Sequence, residues 1–213
     1  MKHYLVSQFR EGIFLLNTRR FGKIAEIMIK QIYHFDWSHS KYYDLYDSNN
    51  QQKIEVKFST VREKATTPIN ENNAIEQVLY ASKSNRPVCY SERFTTQYVC
   101  NIQQVKKALF DVLYYGLFYK DKICIFKIPA SNINPTTCPS WSEKQHKGNK
   151  NEGQFHITNE NLTSHLNDAI ERELSYDELF DLLNPYHKLF PIVCDILKSK
   201  IKRIKIWKNL SRN

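Results

Sequence analysis

The chain has 213 residues, 41% of them hydrophobic and 13% aromatic, with 5 glycines, which is enough for one domain with a full core and leaves no stretch resembling a flexible linker. A net charge of +9 and a pI near 9.2 favour a polyanionic partner, nucleic acid first and an anionic membrane surface second. The absence of an apolar run long enough for a membrane span or of a basic-then-apolar leader points to a soluble, cytoplasmic chain with no membrane span, and five cysteines without a CxxC pair argue against zinc and redox motifs.

In chain order, Phe9–Leu16 is a short apolar run, a helix or an arm. Thr18–Tyr33, TRRFGKIAEIMIKQIY, places Phe21, Ile24, Ala25, Met28 and Ile32 at amphipathic-helix spacing, with Thr18 as the expected N-cap. Glu26 is the only acid on this helix and lies off the apolar stripe. Its ordinary role would be an i,i+4 ion pair with Lys30.

The stretch Tyr42–Phe58, YYDLYDSNNQQKIEVKF, carries the chemistry. Two extended runs, Tyr42–Asp47 and Lys53–Phe58, flank a polar turn at Ser48–Gln51. Glu55 and Lys57 are two apart, so in a strand they share one face, while Ile54, Val56 and Phe58 take the other. Pairing the runs as a hairpin sets Asp44 beside Glu55. Two carboxylates with an adjacent ammonium suit a hard divalent cation such as Mg²⁺, which takes oxygen ligands from one or two carboxylates, waters and substrate phosphate. That chemistry serves phosphodiester hydrolysis. The bland alternative is a hairpin whose charges face solvent, since an E-x-K tripeptide arises often by chance.

Beyond the hairpin, Ser59–Thr67 is polar and basic, with Arg62 and Lys64 facing DNA or simply exposed. Asn70–Ser82 reads as a helix with Ala74, Ile75, Val78 and Leu79 inward. Pro87 breaks any helix in Ser84–Phe94. Thr95–Gln103 alternates into a strand, and Val105–Phe110 is a short helix or turn. Val112–Tyr119 and Lys122–Pro129 form a second hairpin across Lys120–Asp121. Gln103, Gln104 and Lys106 are candidate DNA contacts, or an ordinary polar strand end.

Ala130–Gly153 is a long polar segment, and unstructured loops above about 12–15 residues are usually functional or disordered. Together with the strand that follows it at Gln154–Ile157, it supplies the candidates for reading base edges: Ser142, Lys144, His146, Lys147, Asn149, Asn151 and Gln154. His146 and His156 have no third ligand for zinc. Asn159–Glu173 and Tyr176–Leu183 read as helices, the second with a capping box at Ser175 and Glu178. The tail Leu197–Asn213 holds seven Lys or Arg and no acid. It is a phosphate-gripping helix, a dimer element or a helix with a solvated basic face.

The order Asp44, ten residues, Glu55-Val56-Lys57 resembles the active-site hairpin of the PD-(D/E)XK nucleases, the superfamily of most type II restriction endonucleases. Tyr43 stands where that pattern often has Pro. The order of elements carries the resemblance over about Arg20–Pro129. It implies a single nuclease domain over residues 1–213, with a DNA-contacting loop at 130–156 and a basic C-terminal helix at 197–213. The implied fold is α/β: a restriction-endonuclease-like core with a mixed β-sheet flanked by helices on both faces. It further implies Mg²⁺ held by Asp44, Glu55 and the Val56 carbonyl, Lys57 orienting the attacking water, and Glu26 as a further catalytic acid.

The expected activity is site-specific cleavage of double-stranded DNA by a homodimer, whose two-fold axis matches a palindromic site, without a nucleotide cofactor. A structure-selective DNA nuclease on the same fold, of junction-resolvase or repair type, is the first alternative. A non-catalytic basic DNA-binding protein is the second.

Overall fold

The computed structural model describes residues 2–145 and 149–184. His146, Lys147 and the basic tail lie outside the described residues. So do Cys194 and the side chain of Asn149.

Two helices open the chain, α1 (Lys2–Leu15) and α2 (Thr18–Tyr33). Asn17, not Thr18, caps α2: its side-chain oxygen accepts from the Arg20 N–H at 3.1 Å, satisfying one of the first-turn donors that a helix leaves unpaired. His34, at φ 59°, ends the helix in the left-handed region. The stripe that α2 buries is Phe21, Ala25, Met28 and Ile29. Burying each of the larger of these contributes about 1.5–3 kcal/mol relative to exposure.

Three strands follow: β1 (Asp36–Trp37), β2 (Leu45–Asp47) and β3 (Gln52–Thr60). Asp47 shapes the β2–β3 turn by accepting from the Asn49 and Asn50 N–H groups at 3.0 and 3.2 Å. The expected hairpin is therefore present, antiparallel, with Leu45 opposite Ile54. The chain then runs through α3 (Ala74–Leu79), α4 (Ala81–Ser84) and a 3₁₀ turn at Tyr90–Glu92. It continues into β4 (Val99–Val105), β5 (Val112–Phe118) and β6 (Ile123–Pro129). The β5–β6 hairpin matches its expectation; Tyr119 N–H donates to Lys122 C=O at 2.8 Å across the turn.

A 3₁₀ turn at Ala130–Asn132 leads to β7 (Ser142–Gln145), β8 (Asn149–Thr158), α5 (Leu162–Asp168), β9 (Ile170–Leu174) and α6 (Tyr176–Leu183). The segment read as an unstructured loop thus contains strand β7 and the first half of β8. The helix expected over Asn159–Glu173 stops at Asp168, and Ile170–Leu174 is a strand on the open edge of β6. Its Glu171, Arg172 and Glu173 keep that edge exposed and charged, which discourages further strand pairing. The capping box at Ser175 and Glu178 is present as expected.

The main sheet has six strands in the order β1-β2-β3-β5-β6-β9. Only β3–β5 is parallel, so the sheet is mixed. One face packs on α1, α2 and α6 through Val6, Ile13, Phe21, Met28, Leu179 and their neighbours. The opposite face packs on a second sheet, ordered β4-β8-β7, and on α5. The protein is α/β with a mixed sheet and helices, but the second face is covered mainly by strands rather than by a helical layer. The reason is visible in β4 and β8. Cys100 and Ile102 alternate inward on one, with Val105 brought inward past an irregularity in the strand, and Phe155 and Ile157 alternate on the other, a period of two that suits a sheet laid on a sheet.

Gly116 lies where the neighbouring strands β3 and β6 leave no space. A Cβ there would run into the Cys124 carbonyl and the Phe58 ring. The helix α3 departs from its expected packing: Ile75, Val78 and Leu79 are 79, 72 and 72% exposed. Both faces of the main sheet are already covered, so its apolar stripe has no core to enter.

Candidate active site

The hairpin brings three of the candidate side chains together. Lys57 Nζ donates to Glu55 and lies 4.0 Å from Asp44 Oδ2. The same Asp44 oxygen accepts from the Val56 N–H at 2.9 Å, and the Asp44 N–H donates to the Ile54 carbonyl at 3.0 Å. Asp44 is thus held to the neighbouring strand at both its backbone and its side chain. β3 is paired on both sides, with β2 and with β5. Asp111 fixes its start by accepting from the Lys53 N–H at 2.8 Å. Acid, acid and amine therefore sit on backbone that is bonded from two directions.

The alternation expected along β3 is observed. Ile54 and Val56 enter the helix-covered core, with Phe58 packed against it, and Glu55 and Lys57 share the other face. Glu55 is 9% exposed. Burial pushes its carboxyl well above the usual carboxylate range; Lys57 pulls it back, and Asp44 and Glu26 push it further up. For Lys57, burial works against the charge, but Glu55, Asp44 and Glu26 together outweigh it, so its pKa lies above that of a free lysine. Lys57 is an ammonium at neutral pH, a donor and a positive charge rather than a free base.

Glu26 pairs with Lys23 at 2.7 Å, one turn earlier on α2, rather than with Lys30. It is near enough to bias both Glu55 and Lys57, which places it at the periphery of the same group. Among the described residues, no cluster of three or more His, Cys, Asp or Glu side chains could hold a metal ion. The oxygen donors brought together here are the Asp44 and Glu55 carboxylates, both within 4.0 Å of Lys57. That all-oxygen set suits Mg²⁺, which commonly binds through one or two carboxylates and keeps several waters.

The DNA-contact candidates fall into two groups. Arg62 is committed to structure: its guanidinium donates to the Phe14 and Asn85 carbonyls at 2.6 and 3.0 Å. Lys64 is exposed on the same connection. The others gather on the second sheet, Gln103 and Gln104 on β4, Ser142 and Lys144 on β7, and Asn151 and Gln154 on β8. Lys106, just past β4, is paired with Glu152 at 2.8 Å. Gln103 accepts from Gln145 at 3.3 Å. Ser142 is turned back onto the Lys144 carbonyl at 2.9 Å. Gln104 and Asn151 hold positive φ at 59° and 70° and are exposed, whereas Gln154 is buried.

A second feature of the β2–β3 hairpin was not singled out from the sequence. A cleft of about 420 Å³ is lined by Asp36, Trp37, His39, Tyr43, Tyr46 and Ser48. The signal was present as six aromatic residues between Tyr33 and Tyr46, but no motif spacing marks them.

Comparisons with family models, with curated proteins and with solved structures find no match. No helix among the described residues is long and apolar enough to cross a membrane.

Proposed function

We propose that the chain is a Mg²⁺-dependent, site-specific double-strand DNA endonuclease of the PD-(D/E)XK type, acting as a homodimer. The observation that carries this reading is the convergence of Asp44 and Glu55 on Lys57 on one face of the β2–β3 hairpin. In the proposal, Asp44 and Glu55 hold the cation with the Val56 carbonyl. When bound, Mg²⁺ supplies positive charge against the scissile phosphate and acidifies a bound water.

Lys57, kept protonated by its acidic neighbours, donates to a phosphoryl oxygen and stabilises the charge that builds there. Its second task is to orient the water. The water oxygen bonds to phosphorus, the ester P–O bond breaks, and the proton lost by the water ends on the departing oxygen. Glu55 must shed its proton to serve as a ligand, because burial favours its neutral form. Glu26 adds negative charge at the rim, which strengthens the pull on a cation. The net charge of +9 supports a polyanionic substrate.

The test is digestion of a large DNA of known sequence in Mg²⁺, with Asp44→Ala and Lys57→Ala beside the unmutated protein. A ladder of discrete fragments, absent in both variants while each still binds DNA, supports the proposal. Smeared products or cleavage confined to branched substrates would favour a structure-selective nuclease instead. No cleavage by the unmutated protein would overturn the catalytic reading.

A further inference from the structure

We propose that the aromatic cleft beside Asp44 receives an unpaired nucleobase from the DNA strand being cut. This rests on the nuclease reading in taking DNA as the partner, and it adds a substrate feature that the three catalytic side chains do not specify.

The cleft belongs to the catalytic hairpin. Tyr46, on β2, is two residues from Asp44, and β1, carrying Asp36 and Trp37, pairs directly with β2: Asp36 lies opposite Tyr46 and Trp37 opposite Leu45. The Asp44 carbonyl accepts from the Ser38 N–H at 3.2 Å, so the cleft wall and the catalytic acid are bonded through one short segment.

Its chemistry selects a base over a phosphate. Three of its walls are aromatic, with the Tyr43 and Tyr46 rings 6.5 Å apart and tilted by 45°. Trp37, opposite Leu45 and so toward α2, has the Lys23 ammonium 3.7 Å from its ring centre and remains 38% exposed at the cleft's edge. Asp36 places a carboxylate in the cleft, one oxygen of which holds the Ser48 hydroxyl at 2.6 Å. A carboxylate repels a phosphate but accepts from the exocyclic amino group of cytosine or adenine. Aromatic faces stack on any base, and that stacking is available only once the base has left the duplex. A volume of about 420 Å³ lies within the usual range of small-ligand sites, roughly 300–1,000 Å³.

The experiment compares an end-labelled 20-nucleotide single strand of mixed sequence with its own duplex, both titrated by anisotropy without divalent cation. The proteins are the unmutated chain, Trp37→Ala, Tyr46→Ala and Trp37→Phe. Each alanine variant is expected to weaken single-strand binding by roughly tenfold or more, with duplex binding changed much less. Trp37→Phe keeps a stacking face and retains most of the affinity. Trp37 and Tyr46 are partly exposed, and a thermal melt of each variant identifies any that fails to fold.

Alanine variants that bind the single strand as the unmutated protein does would overturn the inference, and so would equal losses on strand and duplex. Absence of any single-strand binding overturns it as well. The nuclease reading is judged separately by Mg²⁺ cleavage: Lys57-dependent cutting with no Trp37 effect removes the cleft and keeps the enzyme. A Trp37 effect without cutting keeps the cleft as a base-binding site and removes the enzyme.

Discussion

The buried histidine of α5 makes the protein acid-sensitive in a calculable way. His165 is fully buried, with its Nδ1 2.9 Å from the Tyr115 hydroxyl and its ring stacked on Phe155 at 5.8 Å. Its Nε2 has no hydrogen-bond partner among the described residues. Burial pulls its pKa from 6.5 down to about 4, opposed weakly by Asp168. The folded pKa is therefore below the unfolded one. Above pH 6.5 both states are neutral at this site and it adds no pH dependence. Between 6.5 and about 4 the unfolded chain takes up the proton and the folded protein does not, so stability falls as the pH falls. The slope is about 1.4 kcal/mol per pH unit, which gives about 2 kcal/mol lost by pH 5 and about 3 kcal/mol by pH 4 from this one ring. The total stability of a domain is about 5–15 kcal/mol, so that share is large. Urea unfolding of the unmutated protein and of His165→Phe at pH 7.5 and pH 5.0 isolates it. The phenylalanine variant starts less stable, since it leaves the Tyr115 hydroxyl unpaired at a cost of about 1–3 kcal/mol. Its deficit should shrink by about 2 kcal/mol between the two pH values. A deficit that does not change with pH, or an NMR titration placing His165 above pH 6, would refute the reasoning.

Three further outcomes follow from the same structure. Gly116→Ala should give no stable fold, read as loss of cooperative melting, because the added methyl meets the Cys124 carbonyl and the Phe58 ring between two paired strands. Leu79→Ala should change stability by less than about 0.5 kcal/mol in urea unfolding, since Leu79 is 72% exposed; a loss of 2 kcal/mol or more, as for a core leucine, would restore the inward-facing helix that the sequence suggested. On the nuclease proposal, the cleavage rate in Mg²⁺ should rise as the pH climbs past the raised pKa of Glu55, because the ionised acid is the form that holds a cation. A rate profile already flat from pH 5 upward would show that Glu55 does not need to lose a proton.

The β2–β3 hairpin was legible because its signals are local. A two-residue period separates Glu55 and Lys57 from Ile54 and Val56, and the polar turn Ser48–Gln51 fixes which residues face each other. The amphipathic period of α2 was legible for the same reason. What failed depended on partners distant in sequence. Ile75, Val78 and Leu79 lie at helical spacing, yet they stay exposed because α1, α2 and α6 fill one face of the sheet and β4 and β8 the other. Ile170–Leu174, IEREL, has the composition of a helix. It becomes a strand because β6 offers an unpaired edge, and tertiary pairing overrides weak local preference. The polar stretch after Ala130 looked like a loop since neither β7 nor the first half of β8 buries an alternating apolar face. Their pairing is supplied by the backbone instead.

The placement of Glu55 and Lys57 argues for chemistry on grounds that do not depend on resemblance. Both lie on a strand paired on each side, and the next-door residues Ile54 and Val56 are core. A buried ion pair is weak evidence for stability, since apolar side chains of similar volume often serve a fold as well or better. Here a second acid, Asp44, stands 4.0 Å from the same amine; it raises the energy of ionising Glu55 while stabilising the Lys57 ammonium. A bound cation would remove the repulsion, and a phosphate brought in with it would give the ammonium an anionic partner. On the nuclease proposal, a cation and a phosphate arriving together would complement this charge arrangement, as a site shaped for a reacting state requires.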